Sequence, residues 1–315
     1  MAVQLTIRTA VLLVSLLGAS VLVFAIVNVL PGDPALVILG TNATPENVAT
    51  LREQLGLNQP EWLRYLQWVA GMVHGDFGAS LLSHSEVGSL IAGKLTVSGP
   101  LAILAALIAV FISLPLGVVA GVRYRQASGA VISALSLGGI AIPAFWAGLL
   151  LVTVFSIKLR LLPAGGFVDW AEDPLAALRS LILPSLALGL VQAAVLTRYV
   201  RSAIIDVQRE DFIRTARAKG LTRWQALSRH GFRNAAIPVV TVLGIQLTSL
   251  LVGAIVIENV FVLPGLGRLL FQSVGNRDLV TVQDLVMLLT AVVLLVNFLV
   301  DVSYRLLDPR IRQRT

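Results

Sequence analysis

The residues with the clearest local design lie in one basic stretch, residues 201–235. Asp211 can cap a short helix through Phe212, Ile213, Arg214, Thr215, Ala216, Arg217, Ala218 and Lys219, with basic residues suited to its negative end. Gly220 then supplies a left-handed stop before Leu221. Thr222-Arg223-Trp224-Gln225 has the form of a capping box, so a second helix is expected to run to about His230 and end at Gly231. Such a stretch breaks no bonds; its chemistry is binding. One reading is a basic surface against anionic lipid headgroups. The other is a rigid helix, small at Ala216 and Ala218, that lies in a groove of a partner. The second also explains the paired caps.

Groups for covalent or metal chemistry are missing from the sequence. No Gly-x-x-x-x-Gly-Lys-Ser/Thr loop occurs; Gly93-Lys94 is followed by Leu95, so ATP hydrolysis on this chain is not expected. There is no Gly-x-Ser-x-Gly elbow and no cysteine. The histidines are His74, His84 and His230, without a companion set of ligands, so plain surface or capping roles are expected. Catalytic residues, metal ligands and a cofactor on this chain are all expected to be none.

The elements that must carry the basic stretch are membrane spans. Charged residues make up 13% of the chain and hydrophobic ones 57%, against about 25% charged in soluble domains. That excludes an ordinary soluble enzyme. The net charge of +7 then raises membrane sidedness rather than a nucleic-acid partner. Crossing a bilayer takes roughly 20 apolar residues. Six stretches qualify, near 9–30, 100–122, 131–157, 182–200, 236–257 and 283–304. The first exceeds the apolar length of a signal peptide and lacks a clear cleavage site, so an uncleaved anchor is expected. With both termini inside, the inner segments hold sixteen of the 24 Lys and Arg residues. Both termini and the 201–235 loop are therefore expected in the cytoplasm.

Residues 31–98 read as a small folded outer insertion. Thr44-Pro45-Glu46 starts a helix that Gly56 can stop, and Pro60 starts another that Gly75 can end. The second carries Trp62, Tyr65, Leu66, Trp68, Val69 and Val73 on one side, so it either lies on the outer leaflet or packs on its own insertion. The span interiors hold no ionisable residue, unlike ion-coupled transporters, and Asp284 and Asp301 are expected near the interface. Gly117 and Gly121 allow a close helix approach. Pro115 and Pro143 interrupt their helices, either as packing kinks or lining a cavity. Gln192, Gln246, Thr248, Ser249 and Asn297 either line a solute path or join helices by hydrogen bonds.

The loop resembles the cytoplasmic signature of the permease subunits of binding-protein-dependent ABC importers. Arg214-Thr215-Ala216-Arg217-Ala218-Lys219-Gly220-Leu221 departs from the general Glu-Ala-Ala form and is similar to the dipeptide/oligopeptide/nickel branch. Further pieces of that branch follow the same order along essentially the whole chain. They are Leu30-Pro31-Gly32-Asp33-Pro34, Leu55-Gly56-Leu57, Gly75-Asp76-Phe77-Gly78, Ile142-Pro143-Ala144-Phe145-Trp146, Glu258-Asn259-Val260-Phe261, Pro264-Gly265-Leu266-Gly267-Arg268 and Leu307-Asp308-Pro309-Arg310.

The resemblance implies an all-α membrane protein of the type I ABC importer permease kind. It would have six transmembrane helices: residues 1–30 as the first, a periplasmic insertion at 31–98, and a five-helix permease core at 99–315. It implies a heterodimer with a second permease and two ATPase subunits carrying ATP and Mg. It also implies a periplasmic binding protein that delivers peptides or a related small solute, with nickel a further option. The setting would be a bacterial inner membrane. Asp211, Phe212, Arg214, Thr215, Ala216, Arg217, Ala218, Lys219, Gly220 and Leu221 would form the helix held by an ATPase. The competing class is a self-sufficient secondary transporter or channel.

Overall fold

The computed structural model describes residues 2–29, 34–40, 43–54, 56–81 and 83–307. The motif positions Leu30-Pro31-Gly32-Asp33, Leu55 and Asp308-Pro309-Arg310 lie outside these, as do the basic residues Arg312 and Arg314. In chain order the helices are α1 (Ala2–Val29), α2 (Pro34–Leu39), α3 (Pro45–Gln54), α4 (Glu61–His74), α5 (Val87–Val122), α6 (Ala127–Ala141) and α7 (Ala144–Leu151). They continue with α8 (Pro174–Arg209), α9 (Asp211–Ala218), α10 (Arg223–Ala226), α11 (Phe232–Val260), α12 (Leu266–Gly275) and α13 (Leu279–Leu307). Two π-helical turns, Val152–Lys158 and Leu227–Gly231, follow α7 and α10 directly. The protein is all-α.

Among the described residues five helical stretches are long and apolar enough to cross a bilayer: Leu5–Val29, Val87–Val122, Pro174–Arg209, Arg223–Val260 and Leu279–Ser303. The third expected span differs. It is broken between α6 and α7 and bent by 100°, so the chain has six spans only if this pair counts as one. Pro143 lacks an N–H and disfavours a helical conformation before it, and Ile142 is extended (φ −89°, ψ 119°). Pro115 behaves otherwise: α5 runs through it without a break.

The chain forms two compact units. The first is chiefly residues 98–263, joined by α13 from residue 296 onward. Its α5–α8 seam depends on glycine. A Cβ at Gly117 would lie 2.5 Å from Val200 Cβ, and one at Gly121 would lie 2.7 Å from Ile204 Cβ. The small-xxx-small pair therefore sets how closely these helices approach. Near the end of α11, Phe261 is buried beside Gly148, and its carbonyl accepts the Gly166 N–H at 2.8 Å. Glu258, also buried, accepts from the Ser98 hydroxyl at 2.5 Å.

The second unit comprises residues 7–97 and 264–295. Val87, Ile91, Leu266 and Leu285 form its apolar core, with Phe77 and Val280 packed on them. Thr44 accepts the Asn47 N–H at 3.3 Å, Gly56 and Gly75 take positive φ, and Pro60 precedes α4. On α4, Tyr65 bonds Ser20 at 2.8 Å and meets Phe24 edge-on at 5.4 Å. Trp68 Nε1–H donates to Asp284 Oδ1 at 2.7 Å. One side of α4 thus packs on its own unit, while Trp62, Leu66 and Val73 stay exposed. Asp284, expected near the interface, is 1% exposed and enclosed near the start of α13.

Candidate functional site

The basic loop folds as a sequence of stops and starts. Glu210 leaves α8 in an extended conformation and accepts the N–H groups of Ile213 and Arg214 at 3.1 and 3.2 Å. Glu210, not Asp211, therefore occupies the N-cap position, and its side chain makes no cap bond. Asp211 is the first helical residue and pairs instead with Arg214 at 3.3 Å, one turn on. At the other end Gly220 has φ +92°. The Gly220 N–H reaches Arg217 O at 3.0 Å and the Leu221 N–H reaches Ala216 O at 3.3 Å, which is the paired bonding of a Schellman stop.

The capping box forms as read. Thr222 N–H donates to Gln225 Oε1 at 3.0 Å, and Gln225 N–H donates to Thr222 Oγ1 at 3.3 Å. Gly231, however, ends nothing. It is right-handed helical (φ −91°, ψ −44°), and α10 runs through the π turn into α11. Its role is room: a Cβ there would lie 2.5 Å from Leu227 Cδ1 and 3.2 Å from Val207 Cγ1. Glycine serves both left-handed turns and close approach, and this one is the second kind.

The short helix α9 is divided lengthwise. Ile213 and Ala216 are buried in an apolar cluster with Ile204 and Val207 of α8, Leu227 of the π turn and Val239 of α11. Phe212 and Leu221 pack against the same cluster. Asp211, Arg214, Thr215, Arg217, Ala218, Lys219 and Gly220 are exposed. Ala216 is therefore small for the molecule's own packing, whereas Ala218 is small on the free side. Ile213, 2% exposed, was missed by sequence reasoning; its signal was an aliphatic residue three before Ala216 in a charged run.

A polar tie completes the loop. Gln208 Nε2 donates to Ile204 O at 3.0 Å and to Gly121 O at 3.2 Å, while its Oε1 accepts from Arg223 Nε at 2.6 Å. One side chain thus links α5, α8 and α10. Trp224 meets Phe232 edge-on at 5.7 Å. The exposed face of α9 carries three cations, Arg214, Arg217 and Lys219, against Asp211. It can lie in a cleft of acidic or polar character and pass movement to α8 and α11 through its buried side.

The candidate polar residues of the spans lie on three helices. Gln192 lies on α8, Gln246, Thr248 and Ser249 on α11, and Asn297 is exposed on α13. No hydrogen bond joins any two of them among the described residues. Ser249 Oγ bonds back to Ile245 O at 3.3 Å, whereas Gln246 Nε2 and Thr248 Oγ1 are buried without a partner among the described residues. His74 Nδ1 lies 2.7 Å from Ala70 O, a contact within α4.

Comparison with known proteins supplies the context for this geometry. Residues 113–313 match the family described as binding-protein-dependent transport system inner membrane component, and residues 1–91 match the description of its N-terminal part. A peptide transport system permease protein of Brucella abortus is 41% identical over 305 residues, 97% of each chain. The dipeptide transport system permease protein of Escherichia coli K12 is 37% identical over 331 aligned positions, 98% of each chain. A glutathione transport system permease protein of Salmonella choleraesuis is 41% identical over 303, 96% of each chain. Among solved structures, a chain of the MetNI methionine ABC transporter in an inward-facing conformation superposes with a TM-score of 0.55 at 18% identity. It covers 70% of this chain and 96% of that one.

Proposed function

Because the chain belongs to the binding-protein-dependent transport system inner membrane components and is a permease subunit of an ABC importer, we propose that α9 is the element through which ATP-driven work enters it. Its exposed residues Asp211, Arg214, Thr215, Arg217, Ala218, Lys219 and Gly220 dock in a cleft of an ATPase subunit. Phe212, Ala216 and Leu221, with Ile213, form the inner side that carries the displacement onward. The observation that carries this reading is the lengthwise division of α9 between a charged free face and an apolar face locked to α8 and α11.

In this reading both termini and the 201–235 loop are cytoplasmic, as the distribution of basic residues favours. The full assembly holds two permeases, as a heterodimer, and two ATPase subunits that bind ATP and Mg. A periplasmic binding protein delivers the solute. ATP binding biases a two-state equilibrium of the permease pair, and α9 moves as one body because both of its ends are fixed. The cargo is a peptide or related small solute, supported by the names of the similar permeases. Gln192, Gln246, Thr248, Ser249 and Asn297 are the candidates for its path, within a permease core at 99–315.

The test is Gly220→Pro. The position needs φ +92°, which proline cannot adopt, and the expected result is normal membrane insertion with solute uptake abolished. Uptake at the unaltered rate would overturn the docking role. The chain has no cysteine, so a single Ala218→Cys gives a crosslink to the ATPase subunit without background.

A further inference from the structure

The first unit contains an apolar groove of about 750 Å³ between the end of α5, the last third of α8 and the start of α11. Pro115 and Val119 of α5, Ile204 of α8 and Val240 of α11 form its walls, and Arg123 and Trp224 stand in its lining where α5 ends and α10 begins. Along α11 the lining extends from Phe232 to Leu243, about 16 Å at the rise of an α-helix. That is close to the hydrocarbon depth of one leaflet, about half of the 30 Å core. The groove is therefore apolar along its length and basic at one end.

The basic end is uncompensated. Arg125 and Arg223 flank the Tyr124 ring, with their guanidinium carbons 5.4 and 5.8 Å from its centroid. Arg223 is held there by Gln208 Oε1 at 2.6 Å. Arg123, Arg125 and Arg223 form no ion pair among the described residues. One guanidinium group in the lining, Arg123, with two more gathered at the neighbouring Tyr124 and an exposed Trp224 in the lining, matches a ligand with an anionic head and a hydrocarbon tail. A protein helix seated in the slot would cover the apolar walls and leave those charges unmet.

We propose that this groove holds an acyl chain of an anionic glycerophospholipid of the cytoplasmic leaflet, with its phosphate at Arg123 and beside Arg125 and Arg223. The site is separate from the docking face of α9, whose cations are Arg214, Arg217 and Lys219. It rests on the orientation proposed above only in naming the leaflet. A lipid seated here touches α5, α8 and α11 at once, so it would bias the packing through which α9 acts.

The experiment is native mass spectrometry of the full chain assembled with its partner subunits, taken from phosphatidylcholine bilayers with and without phosphatidylglycerol. The expected result is selective retention of phosphatidylglycerol. Arg123→Gln with Arg223→Gln should weaken that retention roughly tenfold and leave phosphatidylcholine unchanged. Val119→Trp, which fills the slot from a partly exposed position, should reduce retention of both lipids. A photoreactive side chain at Val119 should capture lipid. Capture of a protein chain, or retention indifferent to headgroup and to both arginines, would overturn the assignment. Labelling of Ser228→Cys from the outside would overturn the orientation, and with it the leaflet named here. Loss of the anionic preference with an inward label would overturn the groove alone.

Discussion

The basic loop of the first unit and the acid-bearing core of the second solve opposite problems. Around α9 the charges lie outside and the apolar residues inside, so Ile213 and Ala216 hold the helix while Arg214, Arg217 and Lys219 remain free. In the second unit two acids, Asp278 and Asp284, are inside. Asp278, 3% exposed, accepts from Ser80 Oγ at 2.5 Å, Thr281 Oγ1 at 2.7 Å and Leu81 N–H at 3.2 Å. Asp284 takes the indole N–H of Trp68. The first arrangement leaves a surface available to a partner and fixes it by nonpolar packing. The second turns Asp278 and Asp284 Oδ1 inward and uses them to tie distant parts of the chain together, while Asp284 Oδ2 is buried without a hydrogen-bond partner among the described residues. A charge is thus informative about function only once its burial is known.

The largest expected effect that would sharpen this contrast is Ile213→Ala. Removing a fully buried aliphatic side chain costs about 2–5 kcal/mol, and here the loss falls on a helix of 8 residues. We expect α9 to detach locally, seen as protease cleavage near Arg214, while the spans stay inserted. An equally resistant loop would break the claim that apolar packing holds it.

Asp278→Ala comes next. It removes the carboxylate that accepts from the Ser80 and Thr281 hydroxyls and the Leu81 N–H, at about 1–3 kcal/mol for a lost buried partner. The expected outcome is a lower melting temperature in detergent and faster hydrogen exchange at Leu81. Gly220→Ala follows, at about 1–2 kcal/mol for a left-handed residue with a Cβ. We expect reduced uptake with little change in protein level. The smallest effect on stability is Arg214→Ala. Its pair with Asp211 has side chains 71% and 94% exposed, so the cost is about 0–1 kcal/mol. Unchanged melting with weakened ATPase association, measured by co-purification, is the signature of a free docking face. A large stability loss would place Arg214 with Asp278 instead.

What was legible in the sequence was mostly local. Gly220 and the Thr222–Gln225 capping box act over a few residues, and each took its expected form. Gly117 and Gly121 also read correctly, because two small residues four apart leave little else to do inside an apolar helix. Gly231 did not, since a glycine needed for close approach to Leu227 and Val207 looks the same as one needed for a turn. The N-cap moved by one position because Glu210 and Asp211 are adjacent acids and backbone geometry chooses between them. The break at Pro143 was signalled, but hydrophobicity carries no angle. The burial of Asp284 was not legible because it depends on Trp68, 216 residues earlier in the chain. In the proposed path, Gln246 and Thr248 could be named as polar residues, but whether their polar atoms find partners depends on neighbouring helices.

The widened turn at Leu227–Gly231 has a consequence for the phase of the helix on either side of it. A π turn accommodates one surplus residue without interrupting the rod. Each residue advances an α-helix by about 100°. Winding the same residues as regular α-helix, with none removed, would leave α10 and α11 joined, yet re-clock one against the other by about 100°. Trp224 and the capping box would then point away from Gln208 and Phe232. The surplus residue acts as a timing offset, setting the angular position at which the rod meets its neighbours.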